Sequence, residues 1–425
     1  MNILLLGSGG RENALAWKIS QSPLLTKLFI APGNPGIADY GTNVAIDVSN
    51  FELLGRFTLE NAVEMVVVGP ENPLVEGIVD YFEASKDLSH ILMIGPSKQG
   101  AQLEGSKDFA KEFMFRHKIP TADYKTFTSN SFNDALQHLE LSQPPYVLKA
   151  DGLAAGKGVV ICQTFQEASA ELYQMIQNRR FGTASDKVVI EQFLQGVELS
   201  VFVLTDGVSY ILLPEAKDYK RVGEGDTGPN TGGMGAISPV PFADALFMQK
   251  VEDRIIKPTI QGLASEKISY KGFIFFGLIN VEGNPFVIEY NVRMGDPETE
   301  VVMPRLKSDL VELLLKTAKG QLQHAEVSVY DECAITIMMV SGGYPGVFAK
   351  GYKIEGLADV EGSMVFHAGT QYQNTEVVTS GGRVLAVTTL APNYSHAREA
   401  SYRNIDRILY KDAYYRKDIG RDFNL

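Results

Sequence analysis

Within residues 286–300 the chain carries the side chains whose types and spacing best suit chemistry. A Gly283-Asn284 turn leads into strand-like Val287 and Ile288. Glu289 and Asn291 stand two residues apart, so the period-two geometry of a strand puts both oxygen ligands on one face. Arg293 falls on that face one step later. Two hard oxygen donors beside a guanidinium suit phosphates carried by a divalent cation. Arg293 would meet the negative charge that grows in a transition state. Taken alone, the triplet also fits a solvated polar face on an edge strand.

A second candidate is Lys149-Ala150-Asp151-Gly152-Leu153-Ala154-Ala155-Gly156-Lys157-Gly158. It superficially matches a phosphate-binding Walker loop, but its glycine spacing is one residue short and Gly158 stands where a Ser or Thr would meet the metal. Strand-like residues on both sides make it a glycine-rich hairpin. Such a flap can fold over a triphosphate and offer amides with Lys149 and Lys157. A plain flexible hairpin is the alternative. Nearby, the strand at 188–194 is followed by Gly196 and Glu198; a strand crossing between lobes can pair with an adenine edge, and an acid beyond it can accept ribose hydroxyls. By itself that signal is weak. Asp226-Thr227-Gly228-Pro229-Asn230-Thr231-Gly232-Gly233-Met234-Gly235 reads as a long ordered loop, preceded by Lys217, Asp218, Lys220 and Arg221, which would be a solvated charge run if they had no site to serve.

The N-terminal turn Gly7-Ser8-Gly9-Gly10-Arg11-Glu12 follows a strand and opens a helix, as a dinucleotide fingerprint does. Its third position is Glu12, not Gly or Ala, and the second strand ends Ala31-Pro32-Gly33 with no acid to hold a ribose. NAD binding is therefore disfavoured. The amides at the helix start could still hold an anionic group.

These residues need a scaffold. With 425 residues the chain suggests about three domains and clefts between them. Its first hundred residues alternate apolar strands with helices, each strand ending in a Gly or Pro loop, which predicts a parallel doubly wound sheet. Helices are expected at 12–20 and 107–117. Residues 124–193 read as a small antiparallel module with one helix, at 165–176. Residues 199–291 read as a larger antiparallel sheet with a long helix at 243–263. The segment 300–322 is amphipathic, with Val302, Leu306, Leu310, Leu313 and Leu314 at helical spacing and Gly320 as a stop. Beyond residue 326 a β-rich lobe is expected. The fold class is thus α/β and α+β multidomain, cut at 1–103, 104–194, 195–325 and 326–425.

Composition excludes several classes. A net charge of −12 argues against a nucleic-acid surface, and no apolar run approaches membrane-spanning length. Cys162 and Cys333 sit in apolar runs and read as reduced core residues of a cytoplasmic protein. No secretory leader is apparent at the N-terminus. The six histidines form no metal-ligand spacing, and no Gly-x-Ser-x-Gly elbow occurs.

In order along the whole chain, these motifs resemble the glycinamide ribonucleotide synthetases of the ATP-grasp superfamily. The resemblance includes Gly9-Gly10-Arg11-Glu12, Val68-Gly69-Pro70-Glu71, Gln102-Leu103-Glu104-Gly105-Ser106-Lys107 and the 149–158 flap. It continues through the 226–235 loop, Arg293-Met294-Gly295-Asp296-Pro297-Glu298, Phe366-His367-Ala368-Gly369-Thr370 and Gly381-Gly382-Arg383. Met294 replaces the usual Phe, which keeps an apolar body. The acid that many relatives carry on the preceding strand is missing from Gly277-Leu278-Ile279, so only Glu289 and Asn291 carry over as metal ligands.

The resemblance implies a two-lobed ATP site and ATP-dependent joining of glycine to 5-phosphoribosylamine through glycyl phosphate, with Mg²⁺ or Mn²⁺. Lys107, Lys149, Gly156 and Lys157 would hold ATP phosphates. Glu191 and Phe193 would line the adenine, and Glu198 would take the ribose. Gly10, Glu71, Gly382 and Arg383 become candidate phosphoribosylamine contacts, with Asp218 and Arg293 as candidates for glycine and catalysis. A transient contact with the preceding purine-pathway enzyme is the one protein partner it suggests. Rival readings are another purine-pathway ATP-grasp ligase, a nucleotide-binding protein without ligase activity, and an NAD-dependent oxidoreductase.

Overall fold

A computed structural model describes residues 1–154 and 158–423; Gly156 and Lys157 of the flap lie outside the described residues. The N-terminal strands Asn2–Gly7, Lys27–Pro32, Thr42–Asn43, Met65–Val68 and Leu92–Pro96 are parallel, as the Gly/Pro-ended apolar runs predict. Leu4 and Leu6 pack into one buried cluster, and Ile3 and Leu5 into another. Both faces of the sheet are therefore covered, the condition under which strands can be apolar throughout.

The sheet does not stop at the end of the N-terminal segment. Tyr270 and Lys271 pair with Pro96 and Gly95, and strand Tyr270–Val281 continues beside Val197–Thr205 and Asn284–Asn291. The result is a nine-stranded sheet that joins the parallel half to an antiparallel half. A separate four-stranded sheet holds Tyr124–Thr128, Lys187–Gln192, Tyr146–Ala150 and Val159–Cys162. It carries two helices, Phe132–Leu141 and Phe165–Ile176, where the sequence reading expected one. Ala135 and Leu139 of the extra helix are buried at i,i+4 spacing, a pattern open to reading beforehand.

In the amphipathic segment after Glu298 the expected burial holds: Val302, Leu306, Leu310, Leu313 and Leu314 are all in the core. It is, however, two helices, Thr299–Arg305 and Leu310–Ala318. Pro304 removes a backbone donor near the end of the first. Asp309 then caps the second, accepting from the amides of Val311 and Glu312. The chain ends in a six-stranded β-sheet, as expected of a β-rich lobe, with helix Tyr394–Ile405 laid against it. Part of the expected 199–291 sheet lies instead in this C-terminal sheet: Gly235–Ser238 pairs with Cys333–Ser341, and Lys217–Asp218 pairs in turn with Gly235–Ser238.

Candidate active site

The nine-stranded sheet carries the Glu289–Asn291 pair at a deliberate irregularity. Gly277 opposes Glu289 and Leu278 opposes Val287, so Ile288 bulges out of the ladder. A bulge re-aims the side chains beside it. Here it also frees the Ile288 carbonyl, which accepts from Lys149 Nζ at 3.2 Å. Gly277 leaves room opposite: a Cβ there would stand 3.1 Å from Glu289 Cγ, so the Glu289 side chain would have to give by a few tenths of an ångström. Burial pushes the Glu289 carboxyl up, but Lys220, Lys149, Lys107 and Arg293 prevail and hold it below the usual carboxylate range. An anionic, half-buried carboxylate beside the amide oxygen of Asn291 is a donor set that suits a hard divalent cation. Among the described residues no cluster of three His, Cys, Asp or Glu side chains could hold a metal by itself, so the remaining ligands would be phosphate oxygens and water.

Lys107 and Lys149 reach the same neighbourhood from separate elements. Lys107 opens helix Lys107–Arg116, whose first turn is fixed by Ser106 accepting from the Phe109 amide and by Asp151 accepting from Ser106 Oγ and the Asp108 amide. Its Nζ donates to the Gly152 carbonyl, and burial pulls its ammonium down despite nearby Glu289. Lys149 lies 2.9 Å from Glu191, and Lys111 lies 3.1 Å from the same carboxylate oxygen. This buried Lys–Glu–Lys triad was not foreseen. Burial pushes the Lys111 ammonium down to about 8, although Glu191 opposes the shift. Both lysines share Glu191 Oε2, while its Oε1 is buried without a hydrogen-bond partner among the described residues.

Phe193 is half-buried just beyond strand Lys187–Gln192, where the chain passes from the four-stranded sheet to strand Val197–Thr205 of the large one. Gly196 makes that crossing tight, since a Cβ there would meet the Asn280 carbonyl at 2.2 Å. Glu198, at the start of the next strand, is 2.5 Å from Lys220. Asp218 sits among Lys220, Glu198 and Glu289, and burial raises its carboxyl above the ordinary value. Lys220, read in the sequence as part of a charge run, is thus a site residue.

The remaining predicted residues converge on an alternating chain of charges. Arg293 reaches Glu104 at 2.6 Å and Glu71 at 3.3 Å. Arg11 bonds Glu12 at 2.6 Å and stands 4.0 Å from Glu71. Despite burial, Arg293 and Arg11 hold the Glu71 carboxyl down at about 2. Burial lifts Glu104 up to about 7 even with Arg293 beside it. Arg383 pairs with Asp296 at 2.7 Å and donates to the carbonyls of Gly232 and Asp296. Beside it, Gly382 makes room for the Tyr344 ring, because a Cβ would stand 2.3 Å from Tyr344 Cδ2.

The glycine turn at the N-terminus is filled by the protein itself. Gly9 N donates to Glu12 Oε2 at 2.7 Å, and Arg11 N donates to Asp296 Oδ2 at 3.4 Å. Glu12 also lies where a Cβ on Gly7 or Gly69 would fall, so these glycines serve its carboxylate. A Cβ on Gly10 would meet Glu300 Oε1 at 2.3 Å. Two of the amides expected to be open to an anionic ligand, those of Gly9 and Arg11, therefore already face carboxylates.

His367 anchors the C-terminal segment to this turn. Its amide donates to Asn13 Oδ1 at 2.6 Å, and Asn34 Nδ2 donates to its carbonyl at 2.8 Å. Burial pushes the imidazole down to about 4, so it is neutral in the folded protein. A lowered histidine pKa gives stability that is complete above the unfolded value near 6.5 and is lost as pH falls through about 4. The loss by pH 4 is on the order of 3 kcal/mol. His367→Gln should flatten the fall in melting temperature over that window. An unchanged acid slope would contradict this role.

Segments matched by separate family descriptions all meet here. Residues 1–104 match the N domain of phosphoribosylglycinamide synthetase, 105–299 its ATP-grasp (A) domain and 334–422 its C domain. The chain is 43% identical over 423 residues to a phosphoribosylamine–glycine ligase of Caldanaerobacter subterraneus subsp. tengcongensis, with 100% of each covered. The chain belongs to the phosphoribosylglycinamide synthetase family. A crystal structure of a phosphoribosylamine–glycine ligase from Thermotoga maritima is similar at TM-score 0.85 and 32% identity, over 98% of this chain and 100% of that one. The fold extends further. The biotin carboxylase domain of Hydrogenobacter thermophilus 2-oxoglutarate carboxylase, solved with MgADP and bicarbonate, superposes at TM-score 0.73 with 19% identity, covering 97% of this chain and 91% of that one. Within the family frame, Glu104, Lys111, Lys220 and Asp296 are the site residues that the sequence reading left without roles. Glu104 and Asp296 were visible inside motifs, and only their partners were missing.

Proposed function

We propose that the chain binds ATP at the Lys107–Lys149–Glu289 cluster and uses it to join glycine to 5-phosphoribosylamine. Phosphoribosylamine–glycine ligase activity in purine biosynthesis follows from family membership and full-length similarity. The observation that carries the assignment of residues is the convergence of Glu289, Asn291, Lys107, Lys149, Lys220 and Arg293 around the bulge at Ile288.

A glycine carboxylate oxygen would attack the γ-phosphorus of ATP, forming an O–P bond as the bond to ADP breaks. The phosphoribosylamine nitrogen would then attack the glycyl carbonyl, losing a proton as phosphate leaves. No side-chain nucleophile is needed, so catalysis rests on positioning and charge neutralisation. Lys107 and Lys149 face the transferring phosphoryl oxygens. Arg293 would neutralise charge on the acyl phosphate, and Asp218 would take the glycine ammonium. Phe193 and the chain around it border the adenine, with Glu198 toward the ribose. Glu71, Gly10, Gly382 and Arg383 line the phosphoribosylamine side. Mg²⁺ or Mn²⁺, held by Glu289 and Asn291, would supply Lewis-acid neutralisation of the phosphate oxygens. The proposed functional units are 1–103, 104–194, 195–325 and 326–425, with strands Lys217–Asp218 and Gly235–Ser238 of the third carried in the sheet of the fourth. A cytoplasmic location and a transient contact with the enzyme that supplies phosphoribosylamine complete the reading. Among the described residues no helix is long and apolar enough to cross a membrane.

The test is phosphate release by the purified chain with ATP, Mg²⁺ and phosphoribosylamine made in situ. Release should require glycine, and glycinamide ribonucleotide should accumulate with it one for one. Release supported equally by formate or bicarbonate would point instead to another ribonucleotide ligase of the same fold.

A further inference from the structure

Strand Lys217–Asp218 and the residues after it present two faces. Asp218 and Lys220 lie with Glu198 and Glu289 on the ligand side. Lys217 and Tyr219, out of phase by one residue, are buried against the far end of the chain. Lys217 Nζ stands 2.8 Å from Asp422 and 3.8 Å over the Tyr219 ring. Tyr219 Oη donates to Asp422 Oδ1 at 2.6 Å and accepts from the Gly420 amide at 3.1 Å.

A second set of bonds holds the turn that follows. Arg416 is 1% exposed and meets both Asp418 oxygens, at 2.8 and 2.7 Å. Its Nη1 donates to the Arg221 carbonyl at 3.0 Å and to Asp226 at 2.7 Å. Asp418 accepts from the Gly225 amide, and Tyr414 Oη donates to the Val222 carbonyl. Strand Ala413–Tyr414 anchors this tail by pairing with Val340 and Ser341, at the end of strand Cys333–Ser341 in the C-terminal sheet. A surface tail without a task would not need a buried guanidinium with four acceptor contacts and a carboxylate shared by a lysine and a tyrosine.

We propose that residues 414–423 are a positioning clasp for the Asp218–Lys220 edge of the glycine site, with Arg416 and Asp422 as its two grips. This rests on the reading of Asp218 as the group that receives the glycine ammonium. Because a strand's side chains alternate, whatever fixes Lys217 and Tyr219 on one face also fixes the height and tilt of Asp218 and Lys220 on the other. A shift of about 1 Å at a positioning group can cost on the order of a hundredfold in rate.

Steady-state kinetics of the full chain test it, with glycine and ATP varied separately for Arg416→Ala, Arg416→Lys, Tyr219→Phe and Asp218→Asn. Arg416→Ala should raise the KM for glycine by about tenfold or more, with the KM for ATP within about twofold. Arg416→Lys keeps the charge without the planar fork and should fall between Ala and wild type. Tyr219→Phe keeps the ring, removes only the hydroxyl, and should shift the glycine KM in the same direction. It decides the matter if Arg416→Ala does not fold. If Asp218→Asn raises the glycine KM but the Arg416 and Tyr219 variants leave it unchanged, or raise both KM values equally, the clasp is overturned alone. If Asp218→Asn leaves the glycine KM unchanged, the glycine-site reading falls and takes the clasp with it.

Discussion

Glu289→Gln is expected to cut turnover by about a hundred- to a thousandfold, the several kcal/mol of transition-state charge stabilisation that a displaced metal would forfeit. The substitution is nearly isosteric, so packing against Gly277 survives while the charge is lost. Lys220, Lys149, Lys107 and Arg293 then face one another without the carboxylate that now holds them together. Raising Mg²⁺ should recover part of the rate, because affinity is reduced while a neutral amide oxygen remains at each of the two positions. Asn291→Asp keeps an oxygen ligand at its position and should retain more activity than Glu289→Gln. The measurement is kcat against Mg²⁺ concentration for all three proteins. Near-wild-type turnover of Glu289→Gln at limiting Mg²⁺ would remove Glu289 from the metal site.

Arg293→Met should also lose about a hundred- to a thousandfold in turnover, and it should lose stability too. Arg293 is the cation between Glu71 and Glu104, and the Glu104 side chain is only 7% exposed. Breaking such a buried pair costs about 3–5 kcal/mol, chiefly because a carboxylate is left uncompensated. A second substitution separates the two effects. Burial already pushes Glu104 up to about 7, so Gln at this position resembles its protonated form. A raised carboxyl pKa favours the fold below the unfolded value, and that advantage is lost as pH rises through about 7. Arg293→Met should therefore be least stable above pH 7, and Glu104→Gln in the same chain should restore its melting temperature there. Turnover should stay low in the double variant. If turnover returns with stability, Arg293 is a structural cation and the developing charge is met elsewhere.

What was legible in the sequence was whatever short-range geometry dictates. Alternating apolar runs with Gly/Pro ends gave the parallel sheet, because the strand period and turn chemistry operate within a few residues. The spacing of Glu289 and Asn291 gave a shared face for the same reason, and Glu12 in place of a third glycine already argued against a dinucleotide. Local pattern could not reveal where one helix becomes two, since the periodicity of Val302 to Leu314 runs through the break that Pro304 and Asp309 impose. Nor could it pair charges. Arg293 finds Glu104 and Glu71 across 189 and 222 residues, and the Arg11 guanidinium finds the Met294 carbonyl across 283. Arg383 and Asp296 likewise meet only when the C-terminal sheet docks. The motifs supplied the inventory of acids and bases. Which of them neutralise one another, and which remain free for a ligand, is set by burial and by contacts between distant segments, so only the tertiary structure decided it.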